Sequence, residues 1–196
     1  MKTIYLLRHE EVDAKYKGRY YGHLDVPLSI RGKVRSLRIA KRLERFNFDK
    51  IYSSDLSRTR FILNGLYCNN DIVLTQELRE MSWGKHEGLS HEELLELGFE
   101  YKNFEQWLSQ FDGEGLENFK KRVFAFYMRI ICSREKKVLL ITHSGVIRVI
   151  LAYINNRTIE EEFNANLPYG ALLKTVARHE SSDVLFSSNK ITVSYL

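Results

Sequence analysis

Hydrophobic residues occur in two patterns along this chain, short continuous runs and longer stretches in which they recur at helical spacing. Short apolar runs predict buried strands over residues 3–7, 50–53, 72–74 and 137–142, and the last run is the most uniformly apolar. Helical spacing begins after Ser29, which we expect to be an N-cap. Further helices are predicted over residues 56–67, 104–107, 119–131 and 146–154.

The alternation of strands and helices predicts an α/β fold with a mostly parallel sheet. After Pro168 the pattern changes to strand-like runs at residues 171–177, 184–187 and 191–195, which would add an antiparallel edge. No repeat, low-complexity tract or linker interrupts the pattern, so residues 1–196 are predicted to form one domain. Residues 84–115 are the least regular, and a cap or subdomain is expected there.

The composition is that of an ordinary globular protein, with 44% hydrophobic and 28% charged residues among 196. A chain of this length buries enough apolar surface to fold without disulfides or metals. Its two cysteines, Cys68 and Cys132, are isolated in the sequence, and we expect both to be buried thiols. Unpaired cysteines suit a reducing compartment.

A net charge of +5 raises the question of polyanionic partners. The basic clusters, including the one over residues 31–45, follow helical patterns, so solvated helix faces explain most of them. No nucleic-acid-binding motif occurs, and no nucleic-acid partner is predicted. No apolar run approaches the ~18–20 residues of a membrane span, and charge at Arg8 ends the first run. We therefore predict no membrane partner and a cytoplasmic location.

Polar side chains with catalytic potential follow three of the predicted strands. Arg8 and His9 come directly after the first strand, and His143 comes directly after the strand over residues 137–142. Arg58 lies shortly after the second strand. Because ligands in open α/β folds bind outside the carboxyl ends of the strands, we expect these four side chains to converge there.

Two arginines and two histidines at one sheet edge fit the chemistry of a phosphate group. Arginine offers a planar fork of donors to phosphate oxygens, and a neutral histidine can act as a nucleophile. The leaving oxygen also needs a proton donor, for which Glu80, past the third strand, is the candidate. No HxH or HExxH spacing occurs and Arg8 would repel a cation, so no metal is predicted. Structural histidines are the alternative that these residues alone leave open.

Beyond these residues, a series of motifs resembles those of one known family. The motifs are Arg-His-Glu-Glu at 8–11, Gly-His-Leu-Asp-Val-Pro-Leu-Ser at 22–29, Arg-Gly at 31–32, Ser-Asp-Leu-Ser-Arg at 54–58, Leu-Arg-Glu-Met at 78–81, Glu-Gly at 87–88, Gly-Glu-Gly at 113–115 and the run over 138–145. Together they are similar, in content and order, to the histidine phosphatase superfamily with its phosphoglycerate-mutase-like fold. The resemblance spans nearly the whole chain, whereas any one motif alone is weak.

The resemblance implies a three-layer α/β/α sandwich and a phosphohistidine mechanism without a metal or cofactor. His9 would attack phosphorus while Arg8, Arg58 and His143 hold the phosphoryl oxygens. Glu80 would protonate the leaving alcohol and then accept a proton from the water that hydrolyses the phosphohistidine. These five residues are the predicted catalytic group.

Two positions depart from the family pattern. The glycine that usually follows the nucleophile is Glu10 here, and its bulk and charge predict a slower or narrower enzyme unless the side chain points away. The usual asparagine is replaced by Lys15, which either contacts the phosphate by charge or is solvated. His23 and Ser144 complete the candidate contacts to phosphate or substrate.

Within the family, the short chain favours hydrolysis over mutase activity. Tyr-Gly-His at 21–23 and Gly-Glu-Gly at 113–115 look most like the α-ribazole phosphatases, so the implied partner is a small phosphorylated metabolite, α-ribazole 5′-phosphate. Aromatic residues near the expected site would suit its flat base, although core packing explains more than half of them. The alternatives are a phosphoserine or broad sugar-phosphate phosphatase, and a non-catalytic protein that binds phosphorylated ligands. A homodimer through the sheet edge is left open.

Overall fold

The structure is a computed structural model that describes residues 1–66, 71–179, 184–185 and 192–194. The strands in these residues are β1 (Lys2–Arg8), β2 (Lys50–Ser54), β3 (Ile72–Thr75), β4 (Lys137–Thr142), β5 (Leu172–His179), β6 (Val184–Leu185) and β7 (Thr192–Ser194). The α-helices are α1 (Ile30–Leu43), α2 (Ser57–Arg60), α3 (His91–Glu96), α4 (Phe104–Ser109), α5 (Leu116–Cys132), α6 (Ser144–Asn155) and α7 (Ile159–Phe163). Short 3₁₀ helices cover Ala14–Tyr16, Phe61–Gly65, Gln76–Leu78 and Gly84–His86.

The strands form one mixed sheet in the order β3-β2-β4-β1-β5-β6, with β7 also paired to β5. β3, β2, β4 and β1 run parallel to one another. β5 runs antiparallel to β1 and to both short strands. This confirms the predicted parallel sheet with an antiparallel edge, although parts of the predicted runs at 184–187 and 191–195 lie outside the described residues.

Helices cover both faces of this sheet, as the side chains of β1 show. Ile4 and Leu6 pack into a hydrophobic cluster with the apolar faces of α5 and α6. Tyr5 and Leu7 pack into a second cluster with α1. Because successive residues of a strand point to opposite faces, a strand covered on both sides needs an uninterrupted apolar run. The result is the α/β/α sandwich that the resemblance implies.

Most helices begin close to the predicted positions. Ser29 caps α1 by accepting a hydrogen bond from the Gly32 N–H at 2.9 Å. Two short helices, α3 and α7, were not predicted from the hydrophobic pattern. Each begins with a capping box, in which Ser90 or Thr158 exchanges hydrogen bonds with the glutamate three residues later.

The predicted helix over residues 56–67 is wrong in part. An α-helix covers only Ser57–Arg60, a 3₁₀ helix continues over Phe61–Gly65, and residue 67 lies outside the described residues. The backbone at Gly65 approaches α1 so closely that a Cβ there would lie 2.9 Å from Leu37 Cδ2. The 3₁₀ helix therefore lies where the chain packs closely against α1.

The predicted burial of the cysteines is also wrong where it can be checked. Cys132 is exposed at the end of α5, and Cys68 lies outside the described residues. The buried residues of α5 lie on a stripe that ends with Ile130 and Ile131. Cys132 is the next residue along the helix and points off that stripe, because each residue turns the helix by about 100°.

Residues 84–115 contain α3 and α4 between irregular segments. Leu94, Trp107, Leu108 and Phe111 from this region are buried in the cluster that includes α5 and α6. The segment therefore packs on one helical layer of the sandwich. No helix among the described residues is long and apolar enough to cross a membrane.

Candidate active site

The register of β1 and β4 brings the two predicted catalytic histidines together. Arg8 lies opposite Thr142 in this parallel pair, so His9 and His143 emerge side by side from neighbouring strands. Their ring centroids are 5.1 Å apart and the rings meet edge to face. Both residues are buried.

The imidazole of His9 has one nitrogen available as a nucleophile. Its Nδ1 lies 2.7 Å from the Glu10 carbonyl oxygen. Because a carbonyl only accepts hydrogen bonds, Nδ1 carries the proton and the lone pair lies on Nε2. Burial, with the positive charges of Arg58 and Arg8, holds the pKa of His9 well below its usual range. The ring is therefore neutral and its Nε2 is unprotonated at neutral pH.

His143 is held between Arg58 and Ser54. The Nε–H of Arg58 donates to His143 Nδ1 at 3.3 Å, so the imidazole proton lies on Nε2, 3.0 Å from Ser54 Oγ. Burial and the charge of Arg58 hold the pKa of His143 well below its usual range. An anion brought between the histidines would reverse this preference, since nearby negative charge favours the imidazolium.

Arg58 is fully buried and is fixed by the loop that precedes α1. Its two terminal nitrogens donate to the carbonyl oxygens of Leu24 at 2.8 Å and Gly22 at 2.7 Å. Burial lowers the pKa of the guanidinium, and the carboxylate of Glu80 raises it. Arginine remains charged in proteins, so Arg58 brings a fixed positive charge to the histidine pair.

Arg8 provides the second positive charge and an unused donor. Its Nη1 donates to the Leu167 carbonyl, and its guanidinium stacks 4.1 Å above the ring centroid of Tyr169. Its Nε is buried and has no hydrogen-bond partner in the part of the chain that the structure describes. A buried N–H without a partner is costly, and an anionic oxygen would satisfy it.

Glu80 points into the same space from the segment after β3. Its Oε2 accepts a hydrogen bond from the Gly145 N–H at 2.9 Å, and its Oε1 accepts one from the Met81 N–H at 3.1 Å. Gly145 is at the start of α6, beside His143. Two backbone donors therefore fix the orientation of this carboxylate.

A cavity of about 410 Å³ opens onto these groups. Arg8, His9, Arg58, Glu80, His143 and Ser144 line its polar end. The remaining lining is largely aromatic and aliphatic, with contributions from Tyr20, Tyr21, Met81, Trp83, Tyr101, Phe104, Trp107, Leu108, Leu116, Phe119, Ile159 and Phe163. The site thus joins a compact cationic end to a large apolar chamber.

Three residues considered from the sequence do not line this cavity. Lys15 is exposed, with its Nζ 4.8 Å from the ring centroid of Tyr16. His23 has its Nε2 3.9 Å from Glu114 Oε1. The side chain of Glu10 is buried against Gly170, with Oε2 4.0 Å from Arg35 Nη1. The structure therefore brings together the five predicted catalytic residues and Ser144, but not Lys15 or His23.

Two residues that shape the site were not predicted from the sequence. Tyr169 stacks on Arg8, lies 5.8 Å from the His9 ring and shares a hydroxyl contact of 3.2 Å with Tyr21. Arg148 on α6 donates to Ser144 Oγ at 3.1 Å. Tyr169 comes just before β5, the strand beside β1, and that position was the available signal. No cluster of three or more metal-ligating side chains occurs among the residues described.

Comparisons with known proteins agree with this geometry. The family model of the histidine phosphatase superfamily (branch 1) matches residues 4–190. The chain is 27% identical over 195 residues to "Putative phosphoserine phosphatase 2" of Hydrogenobacter thermophilus, covering 95% of each chain. It is 26% identical over 176 residues to the adenosylcobalamin/alpha-ribazole phosphatase of Escherichia coli, covering 85% of this chain and 86% of the other.

The fold is likewise similar to solved structures. The alpha-ribazole phosphatase from Shigella flexneri superposes with a TM-score of 0.77 at 23% identity, covering 98% of this chain and all of the other. At this identity the likeness bears on the fold alone. With the family model matched over nearly the whole chain, this protein is a phosphatase that belongs to the histidine phosphatase superfamily.

Proposed function

We propose that the protein hydrolyses phosphate monoesters through a phosphohistidine at His9, and that its substrate is α-ribazole 5′-phosphate or a close relative. The observation that supports this most directly is the junction of two environments. A cationic end that holds a neutral, oriented histidine opens into an aromatic chamber. The first environment suits a phosphoryl group, and the second suits a flat, bulky leaving group.

In the first half of the reaction the phosphoryl group moves to the enzyme. His9 Nε2 attacks phosphorus, and the bond from phosphorus to the ester oxygen breaks. Arg8 and Arg58 neutralise the phosphoryl oxygens, and the buried Nε–H of Arg8, which has no partner among the described residues, gains an acceptor. His143 takes up a proton from solvent as the anion arrives, and the imidazolium adds positive charge beside the phosphoryl oxygens. Glu80, in its carboxylic acid form at this point, delivers its proton to the leaving alkoxide and becomes the carboxylate.

In the second half water displaces the histidine. The Glu80 carboxylate accepts a proton from that water as its oxygen attacks phosphorus, and the phosphorus–nitrogen bond to His9 breaks. Inorganic phosphate leaves and Glu80 is again protonated. One carboxyl group thus serves as acid and then as base, and the kinetics are ping-pong.

The mechanism assigns charge neutralisation to arginine, so no metal enters the proposal. Arg58 is buried beside His143, and Arg8 flanks His9 in the chain. Two fixed guanidinium groups supply the electrostatic stabilisation that phosphoryl transfer needs. Activity is therefore expected to survive chelation.

A substrate with an aromatic base is favoured over phosphoserine by the lining of the chamber. The leaving group of phosphoserine carries a carboxylate and an ammonium, which need charged partners. Arg19 lines the cavity away from the catalytic end, but it already donates to Glu93 at 2.7 Å and to the Gly88 carbonyl at 2.7 Å. Its charge is therefore already paired with a carboxylate of the protein. The name of the Hydrogenobacter relative keeps phosphoserine as the second candidate.

We also infer that residues 1–196 form one domain, with residues 84–115 as a cap over the leaving group. Trp107 supports this, because it is buried in the core cluster and also lines the cavity. The proposal includes a cytoplasmic location, in keeping with the exposed thiol of Cys132, and no nucleic-acid partner.

Phosphate release in the presence of EDTA tests this function. The substrates are α-ribazole 5′-phosphate, phosphoserine, 3-phosphoglycerate and 4-nitrophenyl phosphate, and wild type is compared with His9→Ala. We expect turnover in EDTA, preference for α-ribazole 5′-phosphate, and loss of turnover in a folded His9→Ala variant. Turnover that disappears with EDTA or survives in His9→Ala would contradict the mechanism. Preference for phosphoserine would transfer the substrate assignment to the second candidate.

A further inference from the structure

Arg122 on α5 lies against the backbone that carries Glu80. Its Nη1 donates to the carbonyl oxygens of Glu77 at 2.8 Å and Arg79 at 3.0 Å, and its Nη2 donates to that of Glu80 at 3.3 Å. Residues 79–83 belong to no helix or strand. Hydrogen bonds from this side chain therefore take the place of a regular backbone ladder.

Glu114 completes the arrangement from the Gly-Glu-Gly segment. Its Oε2 accepts from Arg122 Nε at 2.9 Å and its Oε1 from Arg122 Nη2 at 2.5 Å. The same Oε1 accepts from the Ser82 N–H at 3.0 Å. Arg122 and Glu114, together called the clasp below, thus hold the chain on both sides of Glu80.

The glycine that precedes Glu114 permits this contact. A Cβ at Gly113 would overlap the Ser82 carbonyl, so only glycine allows the two backbones to lie this close. Gly115 has a φ of +72°, a conformation that favours glycine, and it is the N-cap of α5. The motif therefore brings the Glu114 carboxylate to α5 and to the Glu80 segment at once.

We propose that Arg122 and Glu114 are positioning residues that fix Glu80 for proton transfer to the leaving group. The inference rests on the acid role proposed for Glu80. A general acid must lie within hydrogen-bond reach of the leaving oxygen, and a displacement of about 1 Å can cost about 10² in rate. Because Glu80 lies in no helix or strand, the clasp is what keeps its backbone in a fixed position.

A second arginine of α5 provides a matched control. Arg129 binds the carboxylate of Glu77 at 2.9 and 2.5 Å, so it joins the same helix to the same segment. Its side chain is 57% exposed, against 20% for that of Arg122. Arg129 touches a side chain three residues from Glu80, whereas Arg122 holds the Glu80 backbone. Arg129→Met therefore removes an ion pair between α5 and this segment but leaves every hydrogen bond from Arg122 to the Glu80 backbone in place.

The experiment compares two substrates of similar size that differ in their need for an acid. The phenolate of 4-nitrophenyl phosphate leaves without a proton, whereas the alkoxide of benzyl phosphate needs one. In a ping-pong reaction kcat/KM covers the steps up to departure of the alcohol, so it isolates phosphoryl transfer to His9. The ratio of kcat/KM for the two esters is measured in wild type, Glu80→Gln, Arg122→Met and Arg129→Met.

Glu80→Gln is expected to lower kcat/KM for benzyl phosphate by about 10² or more relative to 4-nitrophenyl phosphate. Arg122→Met should shift the ratio in the same direction by about tenfold or more. Arg129→Met should keep the wild-type ratio. Equal losses of kcat/KM for both esters in Arg122→Met would overturn the proposed positioning role of the clasp, because a purely structural defect affects both reactions alike. An unchanged ratio in Glu80→Gln would overturn the acid role and the clasp with it.

Two milder variants keep the test decisive if Arg122→Met does not fold. Arg122→Lys retains the positive charge but cannot bind several carbonyls and a carboxylate in one plane. Glu114→Gln retains the shape but loses the charge. We expect both to shift the ratio toward that of Glu80→Gln, with the arginine variant showing the larger shift. A wild-type ratio in both folded variants would refute the proposal.

Discussion

The N–H of Gly145 and the carboxylate of Glu80 occupy positions that exclude any side chain between them. The hydrogen bond from Gly145 N to Glu80 Oε2 is 2.9 Å long, and a Cβ at residue 145 would overlap Glu80 Oε1. The first turn of α6 thus orients the carboxylate next to His143. A single methyl group at this point would move Glu80 while the rest of the site stays intact.

Gly145→Ala is therefore expected to lower kcat/KM for alkyl phosphates by about 10² without a matching loss of stability. Alanine is favoured over glycine in a helix by up to about 1 kcal/mol, which offsets part of the crowding. Steady-state kinetics and urea unfolding on the same preparation check both quantities. Ala152→Gly, later in α6, is the converse control and should lose stability while retaining activity. Full activity in Gly145→Ala would contradict the placement of Glu80.

The two buried histidines predict how stability depends on pH. Burial lowers the pKa of His143 below the ordinary histidine value of 6.5, so below pH 6.5 the unfolded chain binds a proton that the folded protein does not bind. The free energy of unfolding should therefore fall as pH decreases from 6.5, by about 1.4 kcal/mol per pH unit for each such histidine. His143→Asn should show a shallower decrease between pH 6.5 and 5.5.

Urea unfolding at a series of pH values measures this slope. His9 has its pKa lowered for the same reason, so His9→Asn should behave like His143→Asn. The exposed His91 provides the control, and His91→Asn should keep the wild-type slope. Identical slopes in all four proteins would show that the buried rings bind protons equally in the folded and unfolded states, which would contradict this prediction.

Glu10 is expected to affect stability more than rate. Burial raises the pKa of its carboxyl group, and the N–H of Glu11 and the charge of Arg35 only partly oppose this. The carboxylate form is thus disfavoured in the folded state, so stability is lost as pH rises through the folded pKa. Glu10→Gln should be more stable than wild type at pH 8, and the difference should shrink as pH falls to 4.5.

The kinetic effect of Glu10→Gln should be small, because the side chain lies outside the cavity lining. Thermal melts at several pH values and kcat/KM at pH 7 test both statements. Glu44→Gln, at the exposed end of α1, controls for the loss of one charge. A large gain in rate in Glu10→Gln would instead support the slower or narrower enzyme that the sequence suggests.

Arg148 is expected to control the size of the leaving group that the chamber accepts. It donates to the carbonyls of Glu162 and Ala165, and its guanidinium lies 4.9 Å from the ring centroid of Phe163. Phe163 and Ile159 line the apolar end of the cavity. Arg148→Met should raise KM for a bulky aromatic ester about fivefold, the effect of losing about 1 kcal/mol of contact.

A small alkyl phosphate should show little change in KM in the same variant, since it does not reach that wall. Arg157, whose Nη1 lies 3.8 Å from Glu162 Oε1, is largely exposed, and Arg157→Met serves as the control. A parallel loss for large and small esters would indicate that Arg148 supports the fold rather than the choice of substrate.

The central strands and the convergence of the five predicted catalytic residues were predictable because both follow from local pattern and topology. A strand buried on both faces must be continuously apolar, as residues 137–142 are, and polar residues directly after such a strand lie at the sheet edge. His9 and His143 meet for this reason alone. The capping boxes at Ser90 and Thr158 were also visible in the sequence, but their helices are too short to show apolar periodicity.

Loop residues were not predictable in the same way. Lys15 and His23 lie in the segment between β1 and α1, where no periodicity fixes the direction of a side chain. Their family positions alone indicated a contact with the ligand. Tyr169, by contrast, was not predicted but contacts Arg8, a residue far from it in the chain. Such contacts depend on how the loops pack and not on the local sequence.

The place of β1 in the sheet has a consequence for how the protein is made. β1 is synthesised first, yet its neighbours are β4 and β5, with Leu6 opposite Leu140 on one side and Leu173 on the other. During translation both edges of this apolar strand therefore stay unpaired until residues 137–179 have left the ribosome. Contacts between residues so distant in sequence slow folding and expose aggregation-prone edges. β1, the strand that ends just before His9, is thus a strong candidate for chaperone binding in the nascent chain.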